Sequence, residues 1–284
     1  MATASRERNV LQSGLALVSA FLLGVGGLVF GVALTGLVGL LLVVLFGLSI
    51  TPVRTLVLGL ITAQGIAFPL IAFAYVRLRP KIGPIVREKL SLPGREQFKI
   101  GIDVPDLRDL GVVVLGYATA IGGLIVASIV ISVIVATLGV EPGRNQAAEI
   151  GMENPEVLLL LIPASFLLIG PGEELLFRGV VQGRIREVFG PIPSIVTASV
   201  FFAGIHYFAL TGGSASGNLV ALGGLLVPSL VLGTAYEYTD NIVVPSLIHG
   251  AYNATLFSLL YVVVKYSDQL EAAGAATLAP ALGI

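Results

Sequence analysis

The chain has 284 residues, of which 56% are hydrophobic and 12% are charged, and its mean hydropathy is +0.97. Since soluble domains carry about 25% charged residues, this composition excludes a mainly soluble protein and predicts a multi-pass protein of the cell membrane in contact with lipid. The absence of Cys excludes disulfides, thiolate zinc sites and cysteine nucleophiles, and a net charge of −1 argues against nucleic acid as a partner.

Apolar runs of about 20 residues or more, long enough to cross a bilayer, occur along most of the chain. They predict an all-α, polytopic bundle of about eight transmembrane helices, at residues 11–31, 33–50, 55–77, 110–138, 156–188, 192–210, 217–236 and 241–264. The first two share one apolar run, which we divide by a turn near Gly31–Gly36. The fifth is over-long, and Gly170-Pro171-Gly172 predicts a break or kink inside it.

One sizeable polar segment, 78–109, interrupts this pattern. Its prolines predict a loop with a short interfacial helix near 83–91; they are Pro80, Pro84, Pro93 and Pro105. Lys and Arg are concentrated in this segment and again near 184–190, so the positive-inside rule places both in the cytoplasm. Eight helices then put the N-terminal Arg6 and Arg8 on the opposite side, against the same rule.

A few polar residues lie inside the predicted spans, where ionisable groups cost at least about 2–3 kcal/mol each and by default mark function. They are Glu173, Glu174, Arg178, His206 and His249, with Asn253 as a neutral companion. A lone intramembrane histidine more often packs or hydrogen-bonds than catalyses. Here both histidines of the chain accompany paired glutamates, which favours a chemical site.

The spacing of these residues predicts that they meet. A turn at Gly190–Pro193 lies midway between Glu173 and His206, so a hairpin puts both side chains roughly 24 Å from the turn. His249 and Asn253 are four residues apart and share a helix face.

Glu174 and Arg178 are also four residues apart, with the acid first, which is the favoured order for an ion pair within a helix. Glu173 then remains a free carboxylate that can take a proton from a water held with His206.

His249 and Asn253 can donate hydrogen bonds to a developing oxyanion. Water attack on a carbonyl beside such a site is peptide hydrolysis. Glu173, His206 and His249 are also zinc-ligand types, but the compact H-E-x-x-H motif is missing, so the spacing alone does not establish a metal.

Three motifs resemble those of the CAAX-processing and bacteriocin-processing intramembrane proteases, also called the Abi family. "EELLFRG" at 173–179, "FAGIH" at 202–206 and "HGAYN" at 249–253 match E-E-x-x-x-R, F-x-x-x-H and H-x-x-x-N. Each motif alone is weak, but all three in this order are specific. The resemblance covers roughly 155–265, and residues 1–150 add no recognisable motif.

The resemblance implies a conical intramembrane active-site cavity and a CAAX-type endopeptidase acting on a lipidated or membrane-bound peptide or protein. It divides the chain into N-terminal membrane helices and a polar loop (1–150), a protease core (151–265) and a short tail (266–284).

The same resemblance implies catalytic roles for six residues: Glu173, Glu174, Arg178, His206, His249 and Asn253. Glu173 is implied as the water-activating carboxylate. Glu173, His206 and His249 are the implied ligands if a metal such as Zn²⁺ takes part, and a metal-free glutamate mechanism is the other implied possibility.

Two other functions stay open from the sequence. A polytopic scaffold or a bacteriocin-immunity-type protein could keep the motifs and act by binding. A proton-coupled transporter could use Glu173 and the histidines as a relay, but it should show paired repeats with matched broken helices, and only one candidate break, at 170–172, is visible.

Overall fold

Helices form almost all of the structure, a computed structural model that describes residues 2–90 and 99–272, with side chains over 10–90 and 99–269. The α-helices are α1 (Ala2–Phe46), α2 (Pro52–Gly59), α3 (Phe68–Lys89), α4 (Leu107–Leu138), α5 (Gln146–Glu153), α6 (Pro155–Ala164), α7 (Gly170–Glu174), α8 (Gly183–Arg186), α9 (Pro191–Ile205), α10 (Ala215–Thr239), α11 (Val243–Lys265) and α12 (Ser267–Ala272). Wider π-helical turns join some of them at Leu60–Ala67, Ser165–Ile169 and Leu175–Gln182, and a 3₁₀ turn covers His206–Ala209. Two-residue strands, β1 (Arg144–Asn145) and β2 (Leu210–Thr211), pair antiparallel.

Within the described ranges, seven helical stretches are long and apolar enough to cross a membrane. They are Val10–Phe46, Pro52–Lys89, Leu107–Leu138, Pro155–Arg186, Pro191–Ala209, Ala215–Thr239 and Val243–Lys265. The chain is therefore a multi-pass, all-helical membrane protein whose outer faces contact lipid, as the composition predicted.

The prediction of two helices within 11–50 is wrong, because α1 continues through the expected turn near Gly31–Gly36. A turn inside hydrocarbon would leave backbone groups without hydrogen-bond partners. Gly31 instead allows close packing, since a side chain there would collide with Ala63 of the neighbouring π turn. Gly31 is thus a packing residue and not part of a turn.

One helix fewer changes the predicted side of the N-terminus. With a single crossing by α1 and a second by the stretch from α2 to α3, the start of α1 lies on the same side as residues 99–106. This is the side that the positive-inside rule assigns to the cytoplasm. The conflict created by Arg6 and Arg8 therefore disappears.

The polar segment begins later than predicted, because α3 stays helical to Lys89 with Pro80 and Pro84 inside it. Both prolines are exposed near the end of the span, where water can reach the carbonyls that they leave unpaired. The interfacial helix expected near 83–91 is in part the last turns of α3. Residues 99–106 have no regular structure, as predicted, and Pro93 lies outside the described residues.

The fourth span, Pro155–Arg186, is the most enclosed helix of the bundle. In its most apolar window 44% of residues are buried, against none in that of α4. No break interrupts it at 170–172; the helix instead widens into π turns before and after α7, a distortion that bends helices and occurs often at functional sites. The three charged residues in the middle of this span, Glu173, Glu174 and Arg178, are buried within the bundle.

Candidate active site

The glycines at 170 and 172 bring α7 into contact with two neighbours at once. A side chain at Gly170 would collide with the backbone of α11 at the carbonyl oxygen of Ser246, and one at Gly172 would collide with the carbonyl oxygen of Gln64. Because neither contact leaves room for a Cβ, these glycines set the distance at which the side chains of 173 and 174 meet both neighbours.

Glu174 has an ionic partner at each carboxylate oxygen. Its Oε2 accepts a hydrogen bond from Nε of Arg178 at 3.0 Å, and its Oε1 accepts one from Nδ1 of His249 at 2.9 Å. Glu174 and Arg178 are fully buried, and Arg178 also donates to the hydroxyl of Ser229 at 3.0 Å. The predicted ion pair is confirmed, and it extends to a histidine that the sequence had not connected to it.

Glu173 faces the two histidines with one oxygen and a glutamine with the other. Its Oε1 accepts a hydrogen bond from Nε2 of Gln64 at 2.7 Å. Its Oε2 lies 3.8 Å from Nε2 of His249 and 4.0 Å from Nε2 of His206. The convergence of these three predicted residues is confirmed.

Both imidazole rings are oriented through their Nδ1 atoms. Nδ1 of His206 donates to the carbonyl oxygen of Phe202 at 2.7 Å, and Nδ1 of His249 donates to Glu174. In the neutral rings the proton therefore sits on Nδ1, and each Nε2 directs a lone pair toward Glu173. His206 directly follows α9 and is the most exposed of the three, with 20% of its side chain accessible.

Phe202 forms a common wall of the site. Its ring centroid lies 4.4 Å from that of His206, 6.0 Å from that of His249 and 5.2 Å from Cζ of Arg178. The phenylalanine of the second motif thus contacts both imidazoles and the buried guanidinium. Its π-face also stabilises a cation that has one nitrogen, Nη1, without a partner among the described residues.

Asn253 is not connected to the other predicted residues. It lies one helical turn beyond His249 on α11, is half-buried, and forms no hydrogen bond within the described part of the chain. Its predicted role at an oxyanion site stays a prediction. The conical active-site cavity also stays a prediction. A cavity of about 530 Å³ lies between α1, α3 and α8, but none of the six predicted residues lines it.

The donor types of Glu173, His206 and His249 fit zinc, which takes carboxylate and imidazole ligands whose other ring nitrogen is held by a carboxylate or carbonyl. Two ligands of tetrahedral zinc stand about 3.3 Å apart, and two groups that share a water stand about 4.5 Å apart. The observed 3.8 and 4.0 Å lie between these values. Accordingly, no group of three such side chains in the described ranges stands at metal-binding spacing.

Gln64 is the site residue that sequence reasoning missed. It is a lone amide in the apolar second span, whereas the predicted site consists of ionisable residues and Asn253. The rule that polar groups inside a membrane mark function, applied to amides, would have selected it. Ser229 had no comparable signal, because serine is common in membrane helices.

A match to a known protein family lies in the second half of the chain. Residues 155–255 match the family model described as "Type II CAAX prenyl endopeptidase Rce1-like". A Bacillus subtilis (strain 168) protein, "Uncharacterized protein YpbD", is 28% identical over 144 residues, which cover 51% of this chain and 66% of that protein, just under two thirds of its length. No solved structure matches. Residues 155–255, about a third of the chain, are thus similar to the Rce1-like type II CAAX prenyl endopeptidases.

Proposed function

We propose that this protein is an intramembrane endopeptidase that hydrolyses a peptide bond of a lipidated or membrane-bound peptide or protein. The observation that carries the proposal is the Glu173 carboxylate, which is buried and faces two imidazole nitrogens at 3.8 and 4.0 Å. The family match supports a CAAX-type intramembrane protease in general terms.

Glu173 acts as the general base. Gln64 holds one carboxylate oxygen, so the other is left to accept a proton from a water that also hydrogen-bonds to Nε2 of His206. As the water oxygen bonds to the scissile carbonyl carbon, its proton passes to Glu173. When the C–N bond breaks, the same proton passes to the leaving amine.

His249 supplies positive charge to the oxyanion when it is protonated. Its Nδ1–H is bonded to the ionised Glu174, which stabilises the imidazolium form, and Nε2–H then donates to the carbonyl oxygen as negative charge develops there. Arg178 keeps Glu174 ionised by direct contact. Asn253, one turn further along α11, is proposed as a second donor.

The donor types of the same residues also suit a metal ion, and Glu173, His206 and His249 would hold it if they approached one another more closely than the observed 3.8 and 4.0 Å. When bound, an ion such as Zn²⁺ would polarise the scissile carbonyl and make a coordinated water more acidic. Glu174 and Phe202 would then keep the two imidazoles in the tautomer that a metal requires.

Replacement of the base tests the proposal. Glu173→Gln keeps the volume and the hydrogen bond from Gln64 but removes the proton acceptor, so hydrolysis of a prenylated CAAX-type peptide should fall at least about 10²-fold. Glu153→Gln, an exposed site in α5, is the matched control and should retain full activity. Both proteins should unfold at the wild-type temperature in detergent.

A Glu173→Gln variant that cleaves the peptide at the wild-type rate would rule out Glu173 as the base. The scaffold function would be favoured instead if neither wild type nor variant hydrolysed the peptide and the variant still complemented a deletion strain as wild type does.

A further inference from the structure

The cavity between α1, α3 and α8 lies apart from the candidate active site and has a polar part and an apolar part. Its polar lining consists mainly of Arg79, Arg87, Arg184, Glu187, Tyr75 and Ser19. Its apolar lining includes Leu22, Leu23 and Ile71. Such a division matches the structure of a membrane lipid.

Positive charge is in excess in the polar part. Glu187 Oε2 accepts from Nη2 of Arg79 at 2.7 Å and from Nη1 of Arg184 at 2.5 Å, so one carboxylate is shared by two guanidiniums. The third, Arg87, forms no ion pair or hydrogen bond with any residue in the described ranges, and Nε of Arg79 is buried there without a partner.

The guanidiniums of Arg79 and Arg87 are close enough to act on one anion. Both approach Gly83, where an added Cβ would lie 3.3 Å from Nη1 of Arg87 and would collide with Arg79. Arginine forks of this kind bind phosphate through paired, charge-assisted hydrogen bonds.

The apolar part has the depth and the opening that an acyl chain needs. From Ser19, which accepts a hydrogen bond from Arg184, α1 runs roughly 10 Å to Gly26 at the apolar end, which is about two thirds of one leaflet. Leu22 and Leu78 line the cavity and are 60% and 48% exposed, so the cavity is open toward lipid. A chain can therefore enter from the bilayer.

We propose that this cavity binds an anionic phospholipid of the cytoplasmic leaflet, with its phosphate at Arg79 and Arg87 and an acyl chain along Leu22, Leu23 and Ile71. The side follows from the positive-inside rule, since α3 ends and α8 begins at the basic connections. The lipid joins the N-terminal helices to the end of the fourth span. Its binding does not depend on hydrolysis.

Native mass spectrometry of the purified full-length protein in detergent tests this site, with phosphatidylglycerol and phosphatidylcholine as probes at equal concentration. Wild type should retain phosphatidylglycerol preferentially. Arg87→Gln should weaken that binding roughly tenfold, because a charge-assisted bond to phosphate is lost. Arg77→Gln is the matched control, since Arg77 lies on the same helix over the ring of Phe73 and does not line the cavity.

Three results would overturn the proposal: equal retention of the two lipids, equal effects of Arg87→Gln and Arg77→Gln, or displacement of phosphatidylglycerol by millimolar inorganic phosphate alone. The last would show a phosphate site without a lipid contribution. Glu173→Gln should bind the lipid as wild type does, so failure here and failure of the proposed hydrolysis are separate outcomes.

Discussion

At the scale of single residues, Glu174 links two features of the site that the sequence shows separately. Its contact with Arg178 spans four residues of one helix, whereas its contact with His249 spans 75 residues of chain. The first is a local pattern that can be predicted from spacing. The second depends on how α7 packs against α11, and no local signal marks it.

Loss of Glu174 should therefore destabilise the protein strongly. Glu174→Leu leaves Arg178 as a buried charge without its carboxylate, which costs about 3–5 kcal/mol, and frees Nδ1 of His249. The double variant Glu174→Leu/Arg178→Met removes both charges and should recover part of the stability while remaining inactive. Thermal unfolding in detergent measures the first effect, and peptide cleavage the second.

The matched control is the more exposed pair Arg186–Glu237, whose side chains are 39% and 25% accessible. Glu237→Leu should change the free energy of unfolding by no more than about 1 kcal/mol. If Glu174→Leu were no more destabilising than this control, the buried pair would not stabilise the fold as described.

Gln64 should affect catalysis more than folding. Gln64→Leu leaves Oε1 of Glu173 buried without its donor, a loss of about 1–3 kcal/mol of hydrogen bonding, and the carboxylate is free to turn away from the water. We expect cleavage to fall roughly tenfold or more at nearly unchanged substrate affinity. Thr62→Val, which instead removes a buried hydroxyl bonded to Thr35, should leave the rate unchanged; equal losses in the two variants would indicate general disruption of the π turn.

At the scale of helices, the Gly-Pro-Gly sequence of α7 has a packing role. Its glycines had suggested a break, because proline and glycine weaken helices in water. Inside lipid the backbone must keep its hydrogen bonds, so the same residues permit close approach to α11 and to the π turn at Leu60–Ala67. Glycine patterns in membrane helices are thus ambiguous between turns and contacts until the neighbours are known.

A single methyl group added at Gly172 should push α7 away from the π turn at Leu60–Ala67. Gly172→Ala places a Cβ against the carbonyl oxygen of Gln64, which is backbone and cannot move aside alone. We expect at least a tenfold loss of cleavage together with a lower unfolding temperature. Gly122→Ala in α4, where a Cβ meets nothing within 4 Å, should be neutral, and similar behaviour of the two variants would contradict the close contact.

At the scale of the whole molecule, the number of crossings sets the side of each connection. Seven spans place the start of α1 on the same side as residues 99–106, whereas the eight spans predicted from the sequence place it on the opposite side. The chain contains no Cys, so single cysteines can report the side directly. Thr3→Cys and Lys99→Cys should resist an impermeant maleimide in intact cells, and Ser49→Cys should react. Reaction of Thr3→Cys from outside would restore the eight-helix arrangement.

The sequence predicted the bundle and the meeting of Glu173, His206 and His249, because apolar length and motif spacing carry that information. It could not show that α1 is one helix, because its long apolar run contains no charged residues to indicate where one membrane span ends and another begins. Nor could it find Gln64, whose partner is 109 residues away. The family match begins at residue 155, yet the hydrogen bonding of its central carboxylate is completed by the N-terminal half.

The placement of Glu174 and Arg178 within one helix also has a consequence for biosynthesis. The chain is made from its N-terminus, so the fourth span meets the bilayer before either histidine has been synthesised, while Gln64 is already present. A charged side chain at the centre of a helix opposes insertion by about 2.5–3.5 kcal/mol. Arg178 enters the bilayer on the same helix as Glu174, four residues away. The newly made segment can therefore neutralise the Glu174 carboxylate before its other ionic partner, His249, has been synthesised.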